Sequence, residues 1–171
     1  MANERVLKFN TIVGNRPSGV NDRAAFWQQA KAQAALVLEE AQELYDAAEE
    51  ENLIEYLDGW CDVRYTNDYV EHLLDAVGVQ TGVAYDMVQG NNDFKYSCVE
   101  DFILQSQEEL YTKQGVDTYI STAEYKGTTY YAIRRSSDDK VLKPLKHTPP
   151  QLELTIPSAT LSTLSGELND N

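Results

Sequence analysis

Between Leu36 and Val63 the chain reads LVLEEAQELYDAAEEENLIEYLDGWCDV, and this stretch holds the residues best suited to chemistry. Glu39, Glu40 and Glu43 lie in its first half; Glu55, Asp58 and Asp62 lie in its second. A helix turns about 100° per residue, so Glu39 and Glu43 share a face, with Glu40 beside them. Asp58 and Asp62 stack in the same way, and Glu55 stands one turn earlier. Asn52 and Leu53 sit near a turn between two periodic runs. If the two runs fold back on each other, their acids can face inward. Carboxylates gathered in one small volume repel unless cations neutralise them. Hard oxygen donors in that number suit magnesium or manganese.

The simpler reading is a solvated helix face, where acids at these spacings are common. Two features weigh against it. Leu36, Val37, Leu44, Leu57, Trp60, Cys61, Val63 and Tyr65 crowd the acids. A solvated face also carries lysines that pair with glutamates one turn away, yet from Val37 to Val63 there is neither Lys nor Arg.

Four helices must position these groups. The first falls within residues 3–13 and ends at the breaker Gly14-Asn15-Arg16-Pro17-Ser18-Gly19. The second runs from about Arg23 to Ala48 after a cap at Asn21 or Asp22. Its stripe is Phe26, Ala30, Gln33, Val37, Glu40 and Leu44. The third runs from about Leu53 to Val77, with a stripe of Ile54, Leu57, Cys61, Tyr65, Tyr69 and Leu73 that reads as core. Gly59 within it weakens the helix but lets a second backbone come close. A fourth, Thr81 to Gln89, stops at Gly90-Asn91-Asn92.

After Lys95 the character changes. Val99 to Tyr111 reads as a further helix. Val116 to Tyr125 and Thr128 to Arg134 then form a β-hairpin joined by Lys126-Gly127. Its tyrosines, Tyr119, Tyr125, Tyr130 and Tyr131, are placed to cover a site or an interface. The fold class is mainly α, a four-helix bundle with a small C-terminal β-hairpin extension. The divisions fall at 1–98 for the bundle, 99–150 for the helix and hairpin, and 151–171 for a flexible tail or oligomer arm.

With 171 residues, 42% hydrophobic and 25% charged, the chain can bury a real core. A net charge of −14 disfavours nucleic acid and anionic membrane as partners. Cys61 and Cys98 lack metal-ligand spacing, and Cys61 reads as a buried small hydrophobe. Neither a signal peptide nor a membrane span is expected. The expectation is a soluble, cytoplasmic protein with reduced thiols.

The run Glu39-Glu40-Ala41-Gln42-Glu43, followed by Leu57-Asp58-Gly59-Trp60-Cys61-Asp62, resembles the acidic signature of MazG-like nucleotide pyrophosphohydrolases. In that all-α superfamily a Glu-Glu-x-x-Glu helix precedes an acid pair ending in Asp. Asp62 matches the terminal Asp. Many members place Glu where this chain has Gly59; Asp58 is the substitute, as in Leu-Asp-Gly-x-x-Asp variants of phage proteins. Glu55 fits the spacing as well and stays beside Asp58 as a candidate. Phe9-Asn10 with Gly14-Asn15, Asn91-Asn92-Asp93-Phe94-Lys95, and Asp139 to Pro144 with Pro149-Pro150 are similar to further segments of phage members. The resemblance covers residues 5 to 153.

This resemblance implies a nucleoside triphosphate substrate, cleaved between its α- and β-phosphates to monophosphate and pyrophosphate, in the adjustment of deoxynucleotide pools. It implies Mg²⁺ or Mn²⁺ as cofactor, held by Glu39, Glu40, Glu43 and Asp62 with Asp58 next, and either Glu39 or Glu40 as the base toward water. Lys95 and Asn92 match the family's substrate contacts. Lys31, two and a half turns before Glu40, is a second phosphate candidate, and Asn10, Phe9 or Trp27 could face the base. His72 and His147 have no partner in sequence and read as structural. A homodimer or homotetramer is implied, since members of the superfamily assemble that way. Two other classes compete: an acidic, non-enzymatic DNA mimic or inhibitor, and an inactive oligomeric homologue. A mimic needs acids spread at phosphate-like intervals, whereas these acids pair at helical spacings among apolar residues.

Overall fold

The computed structural model describes residues 3–165. The fold is mainly helical with one small antiparallel sheet. The chain divides into two compact units, one of Met1–Val83 with Leu152–Asn171 and one of Ala84–Gln151. Among the described residues, no helix is long and apolar enough to cross a membrane.

The first unit is built on α1 (Glu4–Ile12), α2 (Arg23–Glu49), α3 (Leu53–Ala76) and α6 (Ser158–Leu164). Asn3 caps α1 and Asp22 caps α2, each side chain accepting a backbone N–H of the first turn. The core gathers Val6 of α1, Phe26 of α2, Tyr69, Leu73 and Val77 at the C-terminal end of α3, and Leu164 of α6. The Tyr69 hydroxyl donates to the Asn15 carbonyl, tying the loop after α1 to the core.

Gln33 Nε2 donates to the Thr66 carbonyl at 2.8 Å. Farther along, a Cβ on Gly59 would stand 2.9 Å from Leu44 Cα and 3.1 Å from Leu44 N. Position 33 faces 66 while 44 faces 59, so α2 and α3 run antiparallel with their backbones nearly touching at Gly59. The turn between them is tight. Asn52 N donates to Ala47 O at 3.0 Å and Glu51 N to Ala48 O at 3.2 Å, a Schellman-type stop in which Glu51 takes φ 55°. Asn52 then caps α3 by accepting from Ile54 N and Glu55 N.

Three expectations need correction here. The stripe of α3 is core only at Tyr69 and Leu73; Ile54, Leu57 and Tyr65 are exposed, and so is Cys61. Among the described residues, the core cluster of this unit sits at one end of the hairpin, and the apolar side chains at the other end stay exposed. The segment after residue 150, read as a loose tail, is packed through residue 164. A 3₁₀ turn, Leu152–Thr155, leads into α6. Leu164 enters the core, Thr160 Oγ1 donates to Val77 O at 2.7 Å, and Trp27 Nε1 donates to Leu164 O at 2.8 Å. Residues 166–171 of that segment lie outside the described residues. The division between the two compact units falls after Val83, inside α4 (Thr81–Asp93). That helix runs through Gly90 instead of stopping there.

The second unit contains most of α4, then β1 (Tyr96–Ser97), α5 (Glu100–Leu110), β2 (Thr118–Tyr125) and β3 (Thr128–Arg135). The sheet order is β1-β3-β2, antiparallel throughout. Lys126 and Gly127 take φ 50° and 77°, so both turn residues are left-handed, as a two-residue hairpin of right-handed twist requires. Ile133 of β3 and Ile103 of α5 are fully buried. Gln107 Nε2 donates to Thr118 O at 3.1 Å, and Ser106 Oγ accepts from Leu145 N at 3.1 Å. Two residues are too few for alternation to reveal β1.

The contact at Gly59 yields a stability prediction. Alanine gains about 1 kcal/mol of helix propensity over glycine. Its methyl would meet backbone, which cannot swing aside, and overpacking costs about 1–3 kcal/mol. Gly59→Ala is therefore expected to lower the unfolding midpoint in urea; a rise would contradict the close packing.

Candidate functional site

The antiparallel pairing of α2 and α3 decides where the acids go. Glu39, Glu40 and Glu43 occupy the turns of α2 just before Leu44, and Asp58 and Asp62 flank Gly59 on α3. Because the backbones touch at Leu44 and Gly59, the acids cannot be held apart by intervening bulk. Their effect is felt at Glu40, which is half-buried between the helices. Burial pushes the Glu40 carboxyl above the ordinary carboxylate range, and the charges of Asp62, Glu43, Glu39 and Asp58 push it further, in that order. Among the described residues, no basic side chain offsets them at Glu40. The five residues named from the sequence as carrying the acidic chemistry are thus brought into one electrostatic neighbourhood.

Glu39, Glu43 and Asp58 point into solvent, while Asp62 is partly buried. Among the described residues, no three Asp, Glu, His or Cys side chains stand close enough together to hold a metal ion as they are. The donor set itself fits a hard divalent cation: five carboxylates, no compensating base, and side chains with two or three free torsions on rigid helices. Glu55 is exposed nearer the turn, and its N–H is used by the Asn52 cap.

The other expected site residues fall elsewhere. Asn10 is buried and its amide is committed within the first unit: Nδ2 donates to Val6 O and Oδ1 accepts from Asn15 Nδ2, both at 3.0 Å. Lys31 is exposed on α2. Trp27 uses its N–H on Leu164 and packs edge-on against Phe26, and Phe9 meets Tyr65 in the same manner. Trp60 is half-exposed with the Arg64 guanidinium 5.8 Å from its ring centre. Asn92 and Lys95 belong to the second unit, where Lys95 Nζ donates to Asn92 Oδ1 at 2.7 Å. His72 Nε2 lies 3.0 Å from the Asn3 carbonyl and joins α3 to the start of α1. The ring nitrogens of His147 are buried without a hydrogen-bond partner.

The hairpin tyrosines are expected from sequence to cover a site or an interface; what that expectation misses is that Tyr96 and Arg134 share one sheet face of the second unit with Tyr125 and Tyr130. The signal was the alternation of Tyr130, Ala132 and Arg134 opposite Ser121 and Ala123. Comparison with protein-family models, with curated proteins and with solved structures finds no match to this chain.

The strain at Glu40 has a sign that can be checked. Its carboxyl binds its proton more tightly folded than unfolded, so its contribution favours folding at low pH and opposes folding as the pH rises through and beyond its raised value. In protein stripped with chelator, Glu40→Gln is therefore expected to raise the melting temperature at pH 8. That gain should shrink as the pH falls to the ordinary carboxylate range. Equal melting temperatures at pH 8 would show that Glu40 feels no such field.

Proposed function

We propose that this chain is a metal-dependent nucleoside triphosphate pyrophosphohydrolase of the MazG-like, phage type, converting (d)NTP and water to (d)NMP and pyrophosphate and so adjusting deoxynucleotide pools. The observation that supports it most is the field at Glu40, on which the charges of four further carboxylates act. Such a site repels a triphosphate unless divalent cations intervene, and the resemblance of these same residues to the MazG-like signature names the reaction. Glu39, Glu43, Asp58 and Asp62 are the residues that would hold Mg²⁺ or Mn²⁺. When bound, the ion neutralises phosphate oxygens and acidifies water.

Glu40 is the group best matched to proton transfer. Its raised affinity for a proton brings it closer to neutral pH, where a general base works best. In the proposed step the water oxygen bonds to the α-phosphorus while the bond to the α,β-bridging oxygen breaks. Glu40 takes the water's proton and pyrophosphate departs with the bridging oxygen. The shallow, solvent-open setting of Glu39, Glu43 and Asp58 leaves room for a triphosphate to approach from outside the helix pair.

The apolar end of the hairpin supports an oligomer. Leu53 and Ile54 are each 78% exposed, and Leu36, Leu38, Tyr45, Leu57 and Trp60 lie open on the same two helices. Monomeric proteins seldom leave so much large apolar surface in one region. In this reading two copies pair their α2–α3 hairpins into a four-helix bundle, which buries that apolar surface.

The test is a panel of ribo- and deoxynucleoside triphosphates with Mg²⁺ or Mn²⁺, scoring pyrophosphate against orthophosphate. Glu40→Gln is expected to lower kcat on the order of 10²–10⁴-fold with pyrophosphate still the product. Ile54→Glu, which charges the open face, is expected to run as a monomer by light scattering with turnover reduced. Absence of pyrophosphate from every nucleotide, at every metal concentration, would overturn the proposal.

A further inference from the structure

The sheet of the second unit has two unlike faces. Ile133 points to the face packed on α5. The register puts the residues between on the opposite face: Tyr130 beside Ala123, Ala132 beside Ser121, and Tyr96 of β1 next to Ala132. That face forms a concave site of about 420 Å³ lined by Tyr96, Tyr125, Tyr130, Ser121, Ala132 and Arg134, among others. Its volume is in the range of small-molecule sites. Small residues make the floor, and large rings stand up from it. Tyr96 and Tyr130 meet edge to face with centroids 5.5 Å apart, so their rings are braced against each other. The Tyr96 hydroxyl is anchored by donating to Asp93 Oδ1 at 2.7 Å.

Arg134 supplies the charge. Its Nε donates to Ser121 Oγ at 3.1 Å and its Nη1 to the Asp139 carbonyl at 2.8 Å. Both acceptors are neutral, and they fix the guanidinium without cancelling it. The Asp139 carboxylate stands nearby, accepts from the Tyr119 hydroxyl at 2.8 Å and keeps its charge, but it makes no ion pair with Arg134 among the described residues. A guanidinium fixed by neutral hydrogen-bond acceptors, at the edge of an aromatic trough, is complementary to an anion carried on a flat ring. In a chain of net charge −14, this local arrangement runs against the overall field.

We infer that this sheet face binds a free nucleoside monophosphate, its base against the tyrosine rings and its phosphate on Arg134. The site lies wholly within the second unit and does not depend on the acidic helices. Stacking accounts for a base of any kind, since every base has a π face. The floor of small side chains admits one ring system. The volume is suited to one nucleotide and not to a strand.

The test is calorimetric titration of the full chain with AMP, adenosine and ribose 5-phosphate, in chelator so that no divalent cation is present. AMP is expected to bind saturably, and each of its two halves at least about tenfold more weakly. Arg134→Gln should weaken AMP about tenfold and leave adenosine unchanged, whereas Tyr130→Leu should weaken both. In wild type, the amide signals of Ser121, Ala123 and Ala132 should shift on adding AMP, a readout that needs no variant to fold. Glu43→Gln should bind AMP as wild type does, which separates this site from the acidic one. Absence of saturable binding, binding lost in Glu43→Gln, unshifted sheet amides, or tighter binding of a ten-residue oligothymidylate than of dTMP would each overturn the inference.

Discussion

The close approach of α2 and α3 at Leu44 and Gly59 is the constraint on which the rest depends. Only a residue without a Cβ allows a backbone at that distance. Hydrophobic burial holds little of this part of the hairpin, where Ala47 is buried but the core cluster lies at the other end, around Tyr69 and Leu73. The hairpin is pinned instead at three points: the Gln33 bond to Thr66, the contact at Gly59, and the Asn52 cap with its Schellman stop. Acids mounted between such pins cannot relieve their repulsion by helix separation. The strain falls on Glu40, which with Asp62 is only partly exposed.

This arrangement sacrifices stability in two ways. The Glu40 carboxylate opposes folding at neutral pH, and large apolar side chains are exposed over the same two helices. Glu49, Glu50 and Glu51 at the end of α2 add to the cost, since the C-terminus of a helix already carries partial negative charge. Places where local rules are broken together are where function is expected. A cation and a second copy would relieve the two costs separately, the first electrostatic and the second hydrophobic.

Much of this was legible in the sequence. Apolar periodicity located α1, α2, α3 and α5 to within a few residues, and Lys126-Gly127 announced the hairpin. The acidic spacing, the absence of bases from Val37 to Val63, and the use of Gly59 for close packing were all readable, because each is a local property. What was not legible depends on partners distant in sequence. The stripe Ile54, Leu57 and Cys61 has the period of a buried face, but period reports only that a face is apolar, not what covers it. The α6 segment is short and rich in Ser and Thr; it is fixed by Leu164 meeting Phe26 and by Thr160 meeting Val77, contacts no local pattern reveals. The commitment of Asn10 to Asn15 and Val6 is of the same kind. Arg134 drew no notice because its significance comes from Ser121 and Asp139, across the strand and past the turn.

The claim that these carboxylates form a cation site is tested most directly by Mn²⁺ binding, followed as loss of the free-ion resonance signal when protein is added without nucleotide. Wild type is expected to bind saturably, and Asp62→Asn, which removes the charge acting most strongly on Glu40, to bind at least about tenfold more weakly. Binding that is unsaturable in wild type, or identical in Asp62→Asn, would contradict the account.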